Sequence, residues 1–452
     1  MARAKTVYLC RSCGHTATGW LGKCPSCNAW NSFVEETMSA GAAAPKLRQA
    51  AQVVSLGSPP VGDGGEVRMR TGVGELDRVL GGGLVTGSLT LIGGDPGVGK
   101  STLVLTAVQA LAKKGARVLY VSGEESVRQI QLRAERLGVA HPEILLLAET
   151  DLDVAIQAAI REQARVLVID SVQTMVRSSV ESAAGSVLQV REVATVTMRL
   201  AKERDIATLL IGHVTKDGAI AGPRALEHLV DTVLYVEGEG GASLRVLRAT
   251  KNRFGSTGEI GLFEMRTEGL IEVPDASARL LKERARGAPG TVVTCGIEGS
   301  RPILVELQAL VGRPTQGNPA RTAVGLDRVR LLMQLAILGR FGLDLSDRDV
   351  FVSAVGGVRL TEPAADLAVA VALWSSARGQ ALPDDLVVFG ELGLVGEVRG
   401  VGYGELRLRE AERHGFRSAL VPASLGKEAE ESSSRLRLIG ARRLHDALEG
   451  LM

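Results

Sequence analysis

Eight consecutive residues constrain this chain more than any others. Gly94-Asp95-Pro96-Gly97-Val98-Gly99-Lys100-Ser101 fits G-x-x-x-x-G-K-[ST] and directly follows the apolar run Leu89-Thr90-Leu91-Ile92. An apolar β-forming run that leads into glycines and then a lysine predicts a strand feeding a phosphate loop. The glycines let backbone N–H groups turn inward on a β-phosphate, Lys100 neutralises β- and γ-oxygens, and the Ser101 hydroxyl completes a Mg²⁺ coordination shell. Thr102 to Leu111 has the spacing of an amphipathic helix, whose N-terminus adds its positive dipole end to the same site. The stretch predicts a nucleoside triphosphate site.

Hydrolysis also needs a metal-holding carboxylate and a group to activate water. Val166-Leu167-Val168-Ile169-Asp170 reads as a buried parallel strand ending in a carboxylate at the sheet edge where ligands bind. Asp170 is therefore the second Mg²⁺ residue. Between the two motifs, the strand from Arg117 to Ser122 runs into Gly123-Glu124-Glu125. One of these glutamates is placed to orient and deprotonate the attacking water. The sequence does not say which. On its own such a pair also fits a solvated helix cap.

The N-terminus carries a separate signature. Cys10-x-x-Cys13 and Cys24-Pro25-Ser26-Cys27 are two knuckles whose four thiolates can surround one tetrahedral Zn²⁺. Disulfides would call for an export signal, and the first residues lack the long apolar segment of one. A redox role is the other alternative, without a thioredoxin-like βαβ pattern behind it. Cys295, within Thr291–Ile297, reads as core packing.

At 452 residues the chain has room for two large domains and a small one. No apolar segment reaches membrane-spanning length, so a cytoplasmic location without membrane contact is expected. A formal net charge of +2 confines nucleic-acid contacts to local patches. Only 3% aromatic residues disfavours base stacking as the main grip and favours backbone tracking. Texture divides the chain into a zinc ribbon (1–35), an Ala/Gly/Pro/Ser-rich linker (36–65), an alternating β/α domain (66–273), a charged joining segment (274–289) and an α+β domain (290–452). In the last of these the nearly all-apolar run Ala364–Trp374 predicts a buried helix.

The combination resembles the bacterial RadA (Sms) family of RecA-superfamily DNA repair ATPases over essentially the full length. The residues that carry the resemblance are the four cysteines, Thr71-Gly72-Val73-Gly74-Glu75-Leu76-Asp77, the glycine cluster Gly81–Ser88, the two nucleotide motifs, and Lys251-Asn252-Arg253-Phe254-Gly255. It implies an α/β fold, with a RecA-like P-loop ATPase core between the zinc ribbon and a C-terminal α+β domain similar to the proteolytic domain of Lon. It further implies ATP, Mg²⁺ and Zn²⁺ as cofactors. The expected assembly is a homo-hexameric motor on single-stranded DNA, driving branch migration of recombination intermediates with the recombinase RecA.

Lys251 and Arg253 form the fork of cations that a ring ATPase presents to its neighbour's γ-phosphate, although a basic turn of this kind is also a common solvated feature. DNA contacts are expected in the loops after the ATP-site strands, from Arg177, Lys216 and Arg224, which suit phosphates rather than bases. His213 stands where RecA-like folds place a γ-phosphate sensor, or is a satisfied structural histidine. In the Lon-like segment Ala364 replaces the nucleophilic serine and Glu405 the activating lysine, so Ser-Lys chemistry is absent. The alternatives to a motor are an ATP-dependent protease of Lon type, which would need that dyad, and a non-motor P-loop switch similar to KaiC in its Glu124-Glu125 pair.

Overall fold

The computed structural model describes residues 5–10, 15–26, 28–38, 68–213, 226–238, 244–314, 319–360, 362–425 and 435–451. The chain divides into two compact units, Met1–Glu272 and Val273–Met452. The expected linker at 36–65 falls mostly outside the described residues, apart from its first three positions, which continue a strand.

The first unit begins with a ribbon. Strand β1 (Lys5–Cys10) pairs antiparallel along its whole length with β3 (Phe33–Met38), and β2 (Thr16–Ala17) adds to its other side. Cys10, Cys24 and Phe33 form its small core.

Beyond it lies helix α1 (Gly74–Leu80) and then a nine-stranded sheet. In chain order its parallel part is β4 (Leu89–Gly94), β5 (Val118–Ser122), β6 (Ile144–Ala148), β7 (Val166–Asp170), β8 (Ala207–Ile211) and β9 (Thr232–Glu237). An antiparallel extension of β10 (Leu244–Asn252), β11 (Ile260–Arg266) and β12 (Gly269–Glu272) follows. The spatial order is β12-β11-β10-β9-β4-β8-β7-β5-β6. Strand β4 is thus flanked by β8 and β9, the last two parallel strands to be added.

Alternate residues of the central strands feed two separate cores. Val118, Tyr120, Val166 and Val168 pack with helix α2 (Lys100–Lys113) on one face. Leu119, Val121, Leu167 and Ile169 face the other side, with residues of α4 (Leu152–Arg161) and α5 (Val187–Arg204). Between α2 and α4 in the chain, α3 (Val127–Arg136) opens on a capping box of Ser126 and Gln129; Asp151 and Ser186 cap α4 and α5. Each cap satisfies N–H groups that a helix start leaves without partners.

The second unit contains a seven-stranded sheet. Its strands are β13 (Thr291–Glu298), β14 (Arg301–Gly312), β15 (Arg321–Val324), β16 (Asp349–Ala354), β17 (Leu386–Val388), β18 (Ser418–Pro422) and β19 (Arg437–Ala441), in the order β15-β16-β14-β13-β17-β18-β19. The predicted buried helix is α8 (Asp366–Arg378), entered through a single 3-10 turn at Pro363–Ala365 and buried from Asp366 to Ser375. It follows α6 (Ala276–Leu281) and α7 (Arg328–Arg340) and precedes α9 (Gly404–Arg413).

Residues 274–289, expected as a joining segment, are counted within this unit. Helix α6 lies within that segment, and the Ser277 hydroxyl donates to Glu410 at 2.6 Å and accepts the Leu304 N–H at 3.0 Å. Asp275 caps α6 and is ion-paired with Arg413.

Arg407 is the largest fully buried side chain among the described residues. Its guanidinium meets both Glu362 oxygens, at 2.9 and 2.6 Å, a bidentate geometry that offsets the desolvation of a buried cation. Removing the carboxylate with Glu362→Ala should cost about 3 kcal/mol of stability, because the guanidinium keeps its burial and loses its counter-charge. Glu405→Ala, which breaks an exposed ion pair with Arg409, should cost less than about 1 kcal/mol. Denaturant unfolding of the two variants checks the contrast.

Candidate ATP site and zinc centre

Strand β4 is buried throughout and delivers the chain into a turn, Asp95–Gly99, that ends as the first residue of α2. Two glycines show why the turn needs this composition. Gly97 adopts φ +76° with open space where a Cβ would stand, so glycine is required there by backbone conformation alone. At Gly94 a Cβ would come within 2.5 Å of the Val236 carbonyl oxygen, so the loop can only lie against β9 without one.

Lys100 is 3% exposed, and its ammonium donates to the Gly94 and Asp95 carbonyls at 2.8 and 2.9 Å. Burial lowers its pKa, opposed chiefly by the Asp170 carboxylate and then by Asp95 and Glu124. A desolvated cation among carboxylates and loop carbonyls is a preformed anion site.

The cleft around it has a volume of about 380 Å³. Gly97, Gly99, Lys100, Ser101 and Thr102 line it, together with Glu124, Glu125, Asp170 and His213. The structure therefore brings together the expected loop glycines, lysine, hydroxyls, carboxylates and histidine. Arg133, Arg136 and Met265 also line it; none of the three stands in a local motif.

The two glutamates have different neighbours. The Ser122 hydroxyl receives both backbone N–H groups, at 3.4 Å from Glu124 and 3.1 Å from Glu125, which fixes the turn. Glu124 accepts from the Ser171 hydroxyl at 2.5 Å and stands 3.3 Å from His213 Nε2. Glu125 is ion-paired with Arg133 on α3. Only Glu124 is therefore aimed along the edge that also holds Asp170.

His213 is locked by Gln173, whose side-chain amide donates to its carbonyl at 3.1 Å and accepts its N–H at 3.3 Å. Its Nδ1 is buried without a hydrogen-bond partner among the described residues. An orphaned polar atom on the cleft wall fits a polar ligand there.

Tyr120 is a further site residue that sequence did not reveal. Fully buried on β5, its hydroxyl lies 2.5 Å from Asp170 Oδ2. Burial, with the nearby Asp170 charge next, raises its pKa well above the ordinary phenol value, so it is a fixed donor. One Asp170 oxygen is thereby committed to the protein, leaving the other toward the cleft.

The remaining expected residues are not at this cleft. Lys251, at the end of β10, donates to the Glu227 carbonyl at 2.7 Å, and burial, with the neighbouring Arg253 charge next, lowers its pKa. Arg253 pairs with Asp231 at 3.1 Å. Asp231 also accepts the Leu89 N–H at 3.1 Å, so the pair stands at the start of β4. The phosphate loop is at its other end, about 17 Å away at the rise of a strand.

The pentapeptide is anchored from behind, since Arg68 donates to the Phe254 carbonyl and Asn252 to that of Val79. Arg177, expected to contact DNA, is held between Asp153 and Glu192. Lys216 and Arg224 lie outside the described residues.

In the ribbon, Cys10 and Cys24 are both fully buried and neither is in a disulfide. Their backbones match. The Cys10 N–H donates to the His15 carbonyl and the Cys24 N–H to that of Ala29, both at 2.9 Å, and Asn28 takes the left-handed conformation that closes the second knuckle. Two equivalent turns around buried thiols fit a thiolate-bound Zn²⁺, with Cys13 and Cys27, which lie outside the described residues, as the other ligands expected from the spacing.

These features define a P-loop ATPase carrying a zinc ribbon, with ATP, Mg²⁺ and Zn²⁺ as its cofactors. Residues 73–219 match the AAA domain, residues 8–35 the rubredoxin metal binding domain, and residues 317–424 subunit ChlI of Mg-chelatase. The chain is 48% identical to DNA repair protein RadA of Pseudomonas aeruginosa, covering 100% of both chains. It is 48% identical to that of Bacillus subtilis over 94% of each and 45% identical to that of Escherichia coli over 99% of each. It belongs to the RadA family of DNA repair proteins. No helix among the described residues is long and apolar enough to cross a membrane.

Two outcomes test these assignments. Purified protein should contain about one Zn²⁺ per chain, and Cys24→Ser should lower that content in metal analysis. Tyr120→Phe, which removes one oxygen from a buried site, should raise the Mg²⁺ concentration for half-maximal ATPase about tenfold or more. Unchanged Mg²⁺ dependence would deny the hydroxyl any part in positioning Asp170.

Proposed function

We propose that the protein is an ATP-driven motor that acts on single-stranded DNA in homologous recombination and repair, moving branched intermediates together with the recombinase RecA. It works as a homo-hexameric ring. The observation that carries this reading is the place of Lys251 and Arg253. Arg253 is 53% exposed at the sheet edge opposite its own phosphate loop, so the phosphate it can serve is a neighbour's.

Within one subunit, bound ATP–Mg²⁺ supplies the transferable phosphoryl group and its charge neutralisation. Lys100 and the loop N–H groups hold the phosphates, and Ser101 and Asp170 are the residues that would hold the metal. Glu124 orients and deprotonates water, while Glu125 fixes α3 through Arg133. His213, hydrogen-bonded to Gln173 at the mouth of the loop that follows β8, passes the state of the site toward the DNA-facing segments. Lys216 and Arg224 remain the phosphate-contacting candidates there. Arg177 would have to leave Asp153 and Glu192 to join them.

The second unit is read as a ring-forming scaffold without proteolytic chemistry. Ala364 is buried and offers only its carbonyl, to the Gly390 N–H. Glu405 is exposed on α9 and paired with Arg409. Neither side chain can act as nucleophile or as its activating amine.

Single-stranded DNA should stimulate ATP turnover. Lys100→Ala should abolish it, and Glu124→Gln should lower kcat at least about a hundredfold while Glu125→Gln leaves more activity. Rings mixed from Lys100→Ala and Arg253→Ala subunits should recover hydrolysis, since some interfaces then pair an intact loop with an intact arginine. Failure of verified mixed rings to recover would place Arg253 within its own subunit's chemistry.

A further inference from the structure

The chain has three tryptophans, and two of them are spent on the surface of the ribbon. Trp20 is 57% and Trp30 71% exposed, whereas Trp374 is buried in α8 at 6%. The exposed pair is not part of the ribbon's core, which is Cys10, Cys24 and Phe33, with Tyr8 and Ala17 against it.

Both rings stand on one short hairpin. The Asn31 N–H donates to the Gly22 carbonyl at 2.8 Å, and Lys23 bridges to Trp30 on the next rung. The Trp20 ring packs over Gly22, where even an added Cβ would be 3.8 Å away. Above the Trp30 ring, the Lys23 ammonium sits 5.5 Å from the centroid. Leu21, 40% exposed, continues the apolar surface.

Charge selects the ligand. The hairpin itself, residues 20–31, contains Lys23 and no aspartate or glutamate; the ribbon's first carboxylates, Glu35 and Glu36, lie outside it on β3, opposite Tyr8 and Val7 of β1. Flat aromatic faces beside a lysine, on a hairpin with no carboxylate of its own, match a ligand made of π-faces strung on phosphates. That is the stacking platform of single-strand binding, which tolerates any sequence because every base has a π-face.

We propose that the ribbon hairpin is a stacking site for single-stranded nucleic acid, with Trp20 and Trp30 receiving bases and Lys23 contacting the backbone. This rests on the reading of the chain as a DNA-acting ATPase and adds to it a grip outside the ATPase loops. The aromatic poverty of the whole chain conceals it; among the described residues the other large exposed rings, Phe351 and Tyr403, stand apart from each other in the chain, whereas these two share one hairpin.

The test uses the full-length, zinc-loaded protein and a fluorescein-labelled oligo-dT strand. Binding should quench tryptophan fluorescence, and the quench belongs to the ribbon because Trp374 is buried. In anisotropy titrations Trp20→Leu/Trp30→Leu, with zinc content unchanged, should bind at least about tenfold more weakly. Trp20→Phe/Trp30→Phe should retain most of the affinity, since it keeps the flat faces. Lys23→Ala should reduce the slope of log K against log salt by about 0.7.

A strand that binds without quenching, and equally well to the leucine variant, overturns the stacking site, assigns the rings to a protein partner and leaves the motor reading standing. A wild-type protein that binds no strand at all overturns both. Equal loss in the phenylalanine and leucine variants also overturns stacking, because shape rather than the π-face would then be what the ligand reads.

Discussion

Strands β4, β5, β7 and β8 are buried over every residue, and that burial governs the rest of the ATPase unit. Helices cover both faces, so the middle of each strand admits only side chains that need no water. Polar chemistry is displaced to the strand ends. Because the strands are parallel, all their carboxyl ends fall on one edge, and Gly94, Ser122, Asp170 and Ile211 arrive there side by side. The site is thus a consequence of topology before it is a consequence of any single residue.

At that edge, each charged group has been given a partner that leaves one function open. Asp170 spends one oxygen on Tyr120, and Glu125 is neutralised by Arg133. Glu124 shares a hydrogen bond with the Ser171 hydroxyl yet stays 42% exposed. Lys100 rests on two carbonyls rather than on a carboxylate, so no strong ion pair must be broken before it serves a phosphate. A cleft wired in this way holds its charges apart at little cost and presents them together to one ligand.

Much of this was legible from sequence, because the phosphate loop is a local object. Its glycine conformations, the apolar strand before it and the helix after it are all set by neighbours in the chain. The same holds for Val166–Asp170 and for the buried α8. What was not legible depends on partners far away. Tyr120 sits in Val118–Val121 and looks like core, since nothing local points to an aspartate fifty residues on. Arg177 reads as a loose loop cation until Asp153 and Glu192 are brought to it. The charges around 274–289 suggest a solvated join, yet Asp275 caps α6 and pairs with Arg413, and Arg284 donates to the Asp384 carbonyl, contacts that only the folded unit assembles. The roles given to Lys251 and Arg253 came from family resemblance; local pattern alone allowed a surface turn.

Asp231 gives β4 a meaning beyond support. It is 3% exposed, takes the first N–H of the strand with one oxygen and Arg253 with the other. Strand β4 therefore starts at the counter-ion of a residue that faces outward and finishes at the chain's own phosphate loop. A strand cannot shorten or stretch appreciably, so it behaves as a rod with a head and a tail. In a closed ring of the proposed kind every rod would point the same way around the circle, each tail beside the preceding nucleotide and each head at the next. The N-to-C direction of one buried strand would then supply the sense of rotation in which hydrolysis is passed from subunit to subunit.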